Sequence, residues 1–121
     1  MNRPINNSYI SKARYYELKW HCRQYREWQK AKSNLKIFPG GNFGENFPDP
    51  TGEIAVKLAE LNYKIETVDR CINEVAPEID TWLKQCVTEG MGYENLYNVP
   101  CSKEYFYKRY KLFFSRINLF I

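Results

Sequence analysis

Seven aliphatic side chains set at strict spacing constrain this chain more than anything else in it. Ile54, Leu58, Leu61, Ile65, Val68, Ile72 and Val75 follow one another in steps of 4, 3, 4, 3, 4 and 3 residues. That rhythm keeps all seven on one side of an α-helix, as in a coiled-coil seam. The start is marked as well. Asp49 suits an N-cap, and Pro50 suits the first helical position, where no N–H is needed. Pro77 marks the far boundary. The spacing therefore predicts one helix over 50–76, about 40 Å long. A stripe of that length needs a covering partner. Two are open: another helix of the same chain in an antiparallel hairpin, or a second copy in a homodimer through the 54–75 seam.

The first helix candidate covers 8–33, which contains no Gly or Pro. Ser8 or Ser11 can cap it. One apolar stripe runs Tyr9, Ala13, Tyr16, Trp20; a neighbouring one runs Leu18, Cys22, Tyr25, Trp28. Charge favours pairing this helix with 50–76. Residues 1–37 hold nine Lys/Arg against Glu17 and Glu27, whereas 38–90 hold four against ten acids. Glu60, Glu66, Asp69 and Glu74 are then expected to face Arg14, Lys19, Arg23 and Arg26. The Pro- and Gly-rich stretch 34–50 reads as a long connecting loop, with Phe38, Phe43 and Phe47 able to pin it.

After Pro77, a third helix is expected over 78–89, with Ile79, Trp82, Leu83, Cys86 and Val87 inward and Gly90 ending it. A short helix at 93–97, a tight turn at 98–101 and a last helix at 102–119 complete a helix-turn-helix pattern. The expected packing set is Trp82, Leu83, Val87, Leu96, Val99, Phe106, Tyr110, Phe113 and Ile117. The fold expected is all-α: a helical hairpin over 1–76 with its loop at 34–50, then a three-helix unit over 77–121.

Composition narrows the function. The only histidine is His21, and no nucleophile or Walker motif accompanies it, so an enzyme is not expected. Cys22, Cys71, Cys86 and Cys101 lie 49, 15 and 15 residues apart. Structural zinc uses closely spaced ligand pairs, so neither a metal nor a cofactor is expected. No run approaches a membrane span, and the N-terminus lacks the apolar core of a secretory signal, so the expected location is cytoplasmic. The last helix carries Ser102, Lys103, Tyr105, Lys108, Arg109 and Lys111 away from its apolar face. Ser102 can cap the helix near a phosphate, lysines can reach phosphates or guanine, and Tyr105 can meet a base edge. These six are the candidate residues for double-stranded DNA, with Tyr97 and Asn98 positioned to touch the backbone. A second candidate is the interleaving Arg14-Tyr15-Tyr16, Lys19-Trp20, Arg23, Tyr25-Arg26 and Trp28, a mixture that suits stacking on single strands.

The run Glu89-Gly-Met-Gly-Tyr93-Glu-Asn-Leu96, Val99-Pro-Cys-Ser-Lys103, Phe106-Tyr107, with Asp49-Pro50-Thr51 opening a helix that holds Lys57-Leu58 and Lys64-Ile65, resembles the RinA/ArpU-type regulators of late phage transcription. The C-terminal part is similar to the promoter-reading helix-turn-helix of sigma factor region four. The resemblance implies a phage DNA-binding regulator in the host cytoplasm, with host RNA polymerase as a possible partner and Ser102, Lys103, Tyr105 and Lys108 facing DNA. Two rivals remain open. One is a small inhibitor of a host nucleic-acid-handling complex that presents Glu53, Glu60, Glu66, Asp69, Glu74, Glu78 and Asp80. The other is a packaging-type adaptor assembled in a ring.

Overall fold

The structure is a computed structural model that describes residues 10–37 and 50–121, and within these the chain is helical without a strand. Helices α1 (Lys12–Cys22), α2 (Tyr25–Ile37), α3 (Pro50–Val75), α4 (Asp80–Glu89) and α5 (Lys103–Ile117) are accompanied by 3-10 turns at Pro77–Ile79 and Tyr93–Asn95. The all-α expectation holds. The loop residues Phe38, Phe43 and Phe47, the capping Asp49, and Tyr9 lie outside the described residues, and 34–37 belong to α2 rather than to the loop.

The long helix forms where the seam placed it. Ile65, Val68 and Ile72 are buried, and Leu61 and Val75 pack against them. The partner of the seam is intramolecular along this half. Tyr25 Oη donates to Asp69 Oδ1 at 2.8 Å, and Lys64 Nζ stands 5.7 Å over the Trp28 ring. Higher numbers in α2 thus meet lower numbers in α3, which makes the pair antiparallel. α5 covers another flank of α3, so the seam is enclosed on two sides.

The first helix is not continuous. Ser11 caps it, its Oγ accepting the Arg14 N–H at 3.0 Å. The chain then turns at Arg23-Gln24 and restarts as α2. No Gly or Pro causes this; tertiary packing does. α1 lies against α5, through Tyr15 and Phe114 rings 5.2 Å apart, while α2 lies against α3. One straight helix cannot follow both partners. The buried stripe is Leu18, Cys22, Tyr25 and Trp28. The other expected stripe faces water: Ala13 is exposed, Tyr16 is 42% exposed and Trp20 57%.

The expected ion pairs between helix one and α3 do not form among the described residues. Asp69 pairs with Lys84 at 3.1 Å, Glu74 with Arg116 at 2.8 Å, Arg26 with Glu89, and Arg14 with Glu17 at 3.0 Å. Charge blocks indicate attraction but carry no register, and the register chose other partners.

One buried cluster runs through both halves of the chain, from Leu18 and Cys22 through Val68, Cys71 and Leu83 to Phe106, Phe113 and Ile117. Thr67 and Thr88 enter it by donating their hydroxyls to carbonyls four residues back, at 2.7 Å each. Burial pushes the Cys22 thiol up to about 12 and the Cys71 and Cys86 thiols to about 11, so these sulfurs stay protonated and act as small apolar groups.

His21 is held below the ordinary imidazole range, first by burial and then by Lys64 and Arg14. Its ring lies 4.8 Å from that of Trp28. The unfolded chain therefore takes up this proton at a higher pH than the folded one does. Stability is expected to fall as pH drops below about 6.5. Urea midpoints measured between about pH 7 and pH 5 should decline less steeply in His21→Gln than in the wild type. Equal slopes would contradict the assignment.

Candidate nucleic-acid interface

α5 begins where the sequence placed it. Ser102 Oγ accepts the Tyr105 N–H at 3.1 Å, which fixes the first turn. Phe106, Phe113 and Ile117 are fully buried and Tyr110 is half-buried, so the opposite side of the helix must face water. Phe114 joins the core as well, because α1 covers that flank through Tyr15.

The segment before α5 differs from the helix-turn-helix expected. The short helix at 93–97 is one 3-10 turn, and Leu96 is already extended. Side chains hold this segment instead of a helical ladder. Tyr107 Oη accepts the Tyr93 N–H at 3.0 Å, Tyr93 Oη donates to the Cys101 carbonyl at 2.6 Å, and Trp82 Nε1 donates to the Tyr97 carbonyl at 2.9 Å. Too few residues lie between Gly92 and Pro100 for a helix to compete with those bonds. Tyr97, 85% exposed, and Asn98, with φ +58°, form the outer tip of the segment.

Five of the six candidate residues divide between two flanks of α5, and the sixth, Ser102, is its N-cap. Lys103, Lys108 and Lys111 line one shallow groove of about 400 Å³ with Glu104 and Tyr107. Lys103 is tied to Glu94, which raises its pKa and lowers that of the carboxylate. Lys108 and Lys111 have no carboxylate within ion-pair distance among the described residues. Tyr105 and Arg109 belong to the other flank. Tyr105 Oη donates to Glu78 Oε2 at 2.6 Å, which holds that carboxyl below its usual range, and the Arg109 guanidinium stacks 4.9 Å over the Tyr105 ring. The hydroxyl expected to meet a base is thus already engaged. Ser102 serves as the cap. Glu104 places a negative charge inside the basic groove.

α1 lies antiparallel beside the groove. Arg14 Nε donates to Asn118 Oδ1 at 2.7 Å, and the Tyr15 and Tyr110 hydroxyls meet at 2.6 Å. Burial and this hydrogen bond push the Tyr110 hydroxyl well above its ordinary pKa. Tyr107 follows, its ring 5.6 Å from Tyr110, and Tyr16 continues the row 5.2 Å from Tyr15. An aromatic row thus links the lysine groove to the surface of α1. There Lys19 Nζ stands 5.4 Å over Tyr16 and 5.5 Å over Trp20, and Arg23 stacks 5.1 Å over Trp20. Of the interleaved bases and aromatics in the first helices, Tyr25 and Trp28 go to the core, and Arg14 and Arg26 to carboxylates. Tyr16 and Trp20 are left outward, with Lys19 and Arg23, both partly buried, stacked over them. Tyr25, Arg26 and Trp28 follow the turn at Arg23-Gln24, which no residue type in the sequence marks, whereas Arg14 precedes it.

No helix among the described residues is long and apolar enough to cross a membrane. No protein-family model, curated protein or solved structure matches the chain, so the family resemblance rests on the residues that carry it.

Proposed function

We propose that this protein binds duplex DNA with the outer face of α5 and acts in the host cytoplasm as a phage regulator of transcription. The observation that carries the proposal is the grouping of Lys103, Lys108 and Lys111 along one groove, the latter two with no carboxylate in ion-pair reach among the described residues. Glu94 and Glu104 are the acids at this face, and three further exposed acids, Glu53, Glu60 and Glu66, lie on α3. A groove with an excess of one sign of charge attracts a polyanion and orients it. Interactions with the DNA backbone dominate in this reading, because the Tyr105 hydroxyl is engaged with Glu78 and the lysines act as point charges; Glu104 repels phosphates at its own position in the groove. The outer face of the α2–α3 pair, where Glu60 and Glu66 project, is then the surface offered to a protein partner such as RNA polymerase.

Lys108→Ala with Lys111→Ala tests the assignment by fluorescence anisotropy on a duplex. Both side chains are exposed, so the fold should be unaffected. Affinity should fall for every duplex sequence. The slope of log affinity against log salt should shrink by roughly one for each phosphate no longer neutralised. An unchanged slope would remove α5 as the binding face.

A further inference from the structure

We infer that the Tyr16–Lys19–Trp20–Arg23 strip of α1 is a second binding surface, one that takes unpaired nucleobases of a single strand. The inference rests on the nucleic-acid reading above and adds the state of the strand. Three observations support it.

The first is exposure. Trp20 keeps 57% of its surface in water and Tyr16 keeps 42%, whereas Trp28 a few residues on is 5% exposed. Indole is costly to leave in water, and an exposed one beside cations suits a flat ring that carries hydrogen-bonding edges.

The second is an arginine without an acceptor. Arg23 Nε is buried with no hydrogen-bond partner, and no carboxylate pairs with its guanidinium among the described residues. The group is wedged between the Trp20 ring and Gly90. Two acids of α1 and α4 are taken: Glu17 by Arg14 and Glu89 by Arg26. A guanidinium has five donors in a fixed fork, and burying even the Nε–H without an acceptor is unfavourable. The remaining guanidinium N–H groups, which are not buried, can donate to a phosphate beside a base stacked on Trp20. Lys19, held over the same rings, adds a second positive charge.

The third is continuity. The row Tyr107–Tyr110–Tyr15–Tyr16 joins the strip to the lysine groove of α5. A strand whose phosphates follow Lys108 and Lys111 reaches the cations of α1, Lys19 and Arg23, across this row of tyrosines. A closed duplex hides its base faces, so the rings of the strip can stack only on bases that are not paired.

The test uses the full chain with labelled oligo(dT) and, separately, a duplex of matched length. Oligo(dT) should bind and quench tryptophan fluorescence. Trp20→Ala should weaken oligo(dT) binding about tenfold or more, while duplex binding changes by no more than about twofold, and Trp20→Phe should restore most of the affinity. The indole is exposed, so the variants should fold; matching circular dichroism spectra check this. Oligo(dT) affinity unchanged in Trp20→Ala, or no oligo(dT) binding by the wild type, would overturn the inference. The two proposals fail separately. Absence of the Trp20 effect with duplex binding intact removes the strip alone. Trp20-dependent oligo(dT) binding with no duplex binding removes the duplex reading alone.

Discussion

Phe113→Ala is expected to destabilise the fold by about 3–5 kcal/mol, a large share of the roughly 5–15 kcal/mol that holds a domain of this kind together. Phe113 is fully buried, its ring 5.0 Å from Phe114 at 79°, and it lies on the side of α5 that meets α3. Removing the ring forfeits its transfer from water and leaves a hole between two helices whose backbones are fixed by their neighbours. Arg116–Glu74 and the Arg70 guanidinium over Phe120 flank that packing and limit how far the helices can close. Urea denaturation measures the effect. Phe113→Leu should recover much of the stability, because most of the volume returns. Leu112→Ala is the control, since Leu112 is 43% exposed one residue away; it should change stability by no more than about 0.5 kcal/mol. A destabilisation below about 1 kcal/mol for Phe113→Ala would mean that α5 is not seated as described.

Gly90→Val carries the second large effect, through a different cause. Gly90 ends α4 in the left-handed region at φ +79°, and its N–H reaches back to the Cys86 carbonyl. A β-branched residue resists that conformation by about 1–2 kcal/mol or more. A Cβ here would also stand 2.5 Å from Nη2 and 2.6 Å from Cζ of Arg23. The guanidinium must then leave its place against Trp20. A total cost of about 2–3 kcal/mol is expected in urea denaturation, together with weakened oligo(dT) binding. Gly90→Asn separates the two causes. Asn tolerates the left-handed backbone but still displaces Arg23, so it should keep most of the stability and still bind oligo(dT) more weakly. Equal stability of the Val and Asn variants would contradict the backbone argument.

The parts of this fold written in local chemistry were legible in the sequence. Aliphatic residues from Ile54 to Val75 defined α3, because nothing but a helix gathers that spacing onto one side. Gly90, Ser11 and Ser102 announced helix ends through capping chemistry that needs only neighbouring residues. The packing set of α5 was readable for the same reason. The remainder depended on distant partners. The turn at Arg23-Gln24 exists because α1 and α2 serve different neighbours, and nothing near residue 23 says so. The 93–97 segment gave up its helix to bonds from Trp82, Tyr93 and Tyr107. Hydrophobicity alone offers two stripes to the core, one through Tyr16 and Trp20 and one through Leu18 and Cys22. The core took Leu18 and Cys22, which lie on nearly the opposite side of the helix, since two residues turn it by about 200°. Which of two apolar stripes faces inward is a tertiary choice, and the exposed strip follows from it. Spacing puts Tyr105 at a base edge, but Glu78, 27 residues away in sequence, holds its hydroxyl.

The same contrast explains how much of the site could be read. Lys103, Lys108 and Lys111 share a groove because Lys111 stands three residues from Lys108 and eight from Lys103, which puts it between the two around the helix. Their grouping followed from numbering alone. The lack of an ion pair at Lys108 and Lys111 did not, since it depends on where Glu104 and the acids of the other helices turn. Arg23 gave no sequence signal of being unmatched; its state emerges only when Gly90 and Trp20 close around it.

Binding of the wild-type protein to duplex DNA across a salt series tests the central claim most directly. Tight, sequence-tolerant binding is predicted at low salt, with affinity falling on the order of tenfold or more as salt rises from about 50 to 200 mM. No binding at low salt, or an affinity indifferent to salt, would contradict the assignment of α5 as a DNA-binding face.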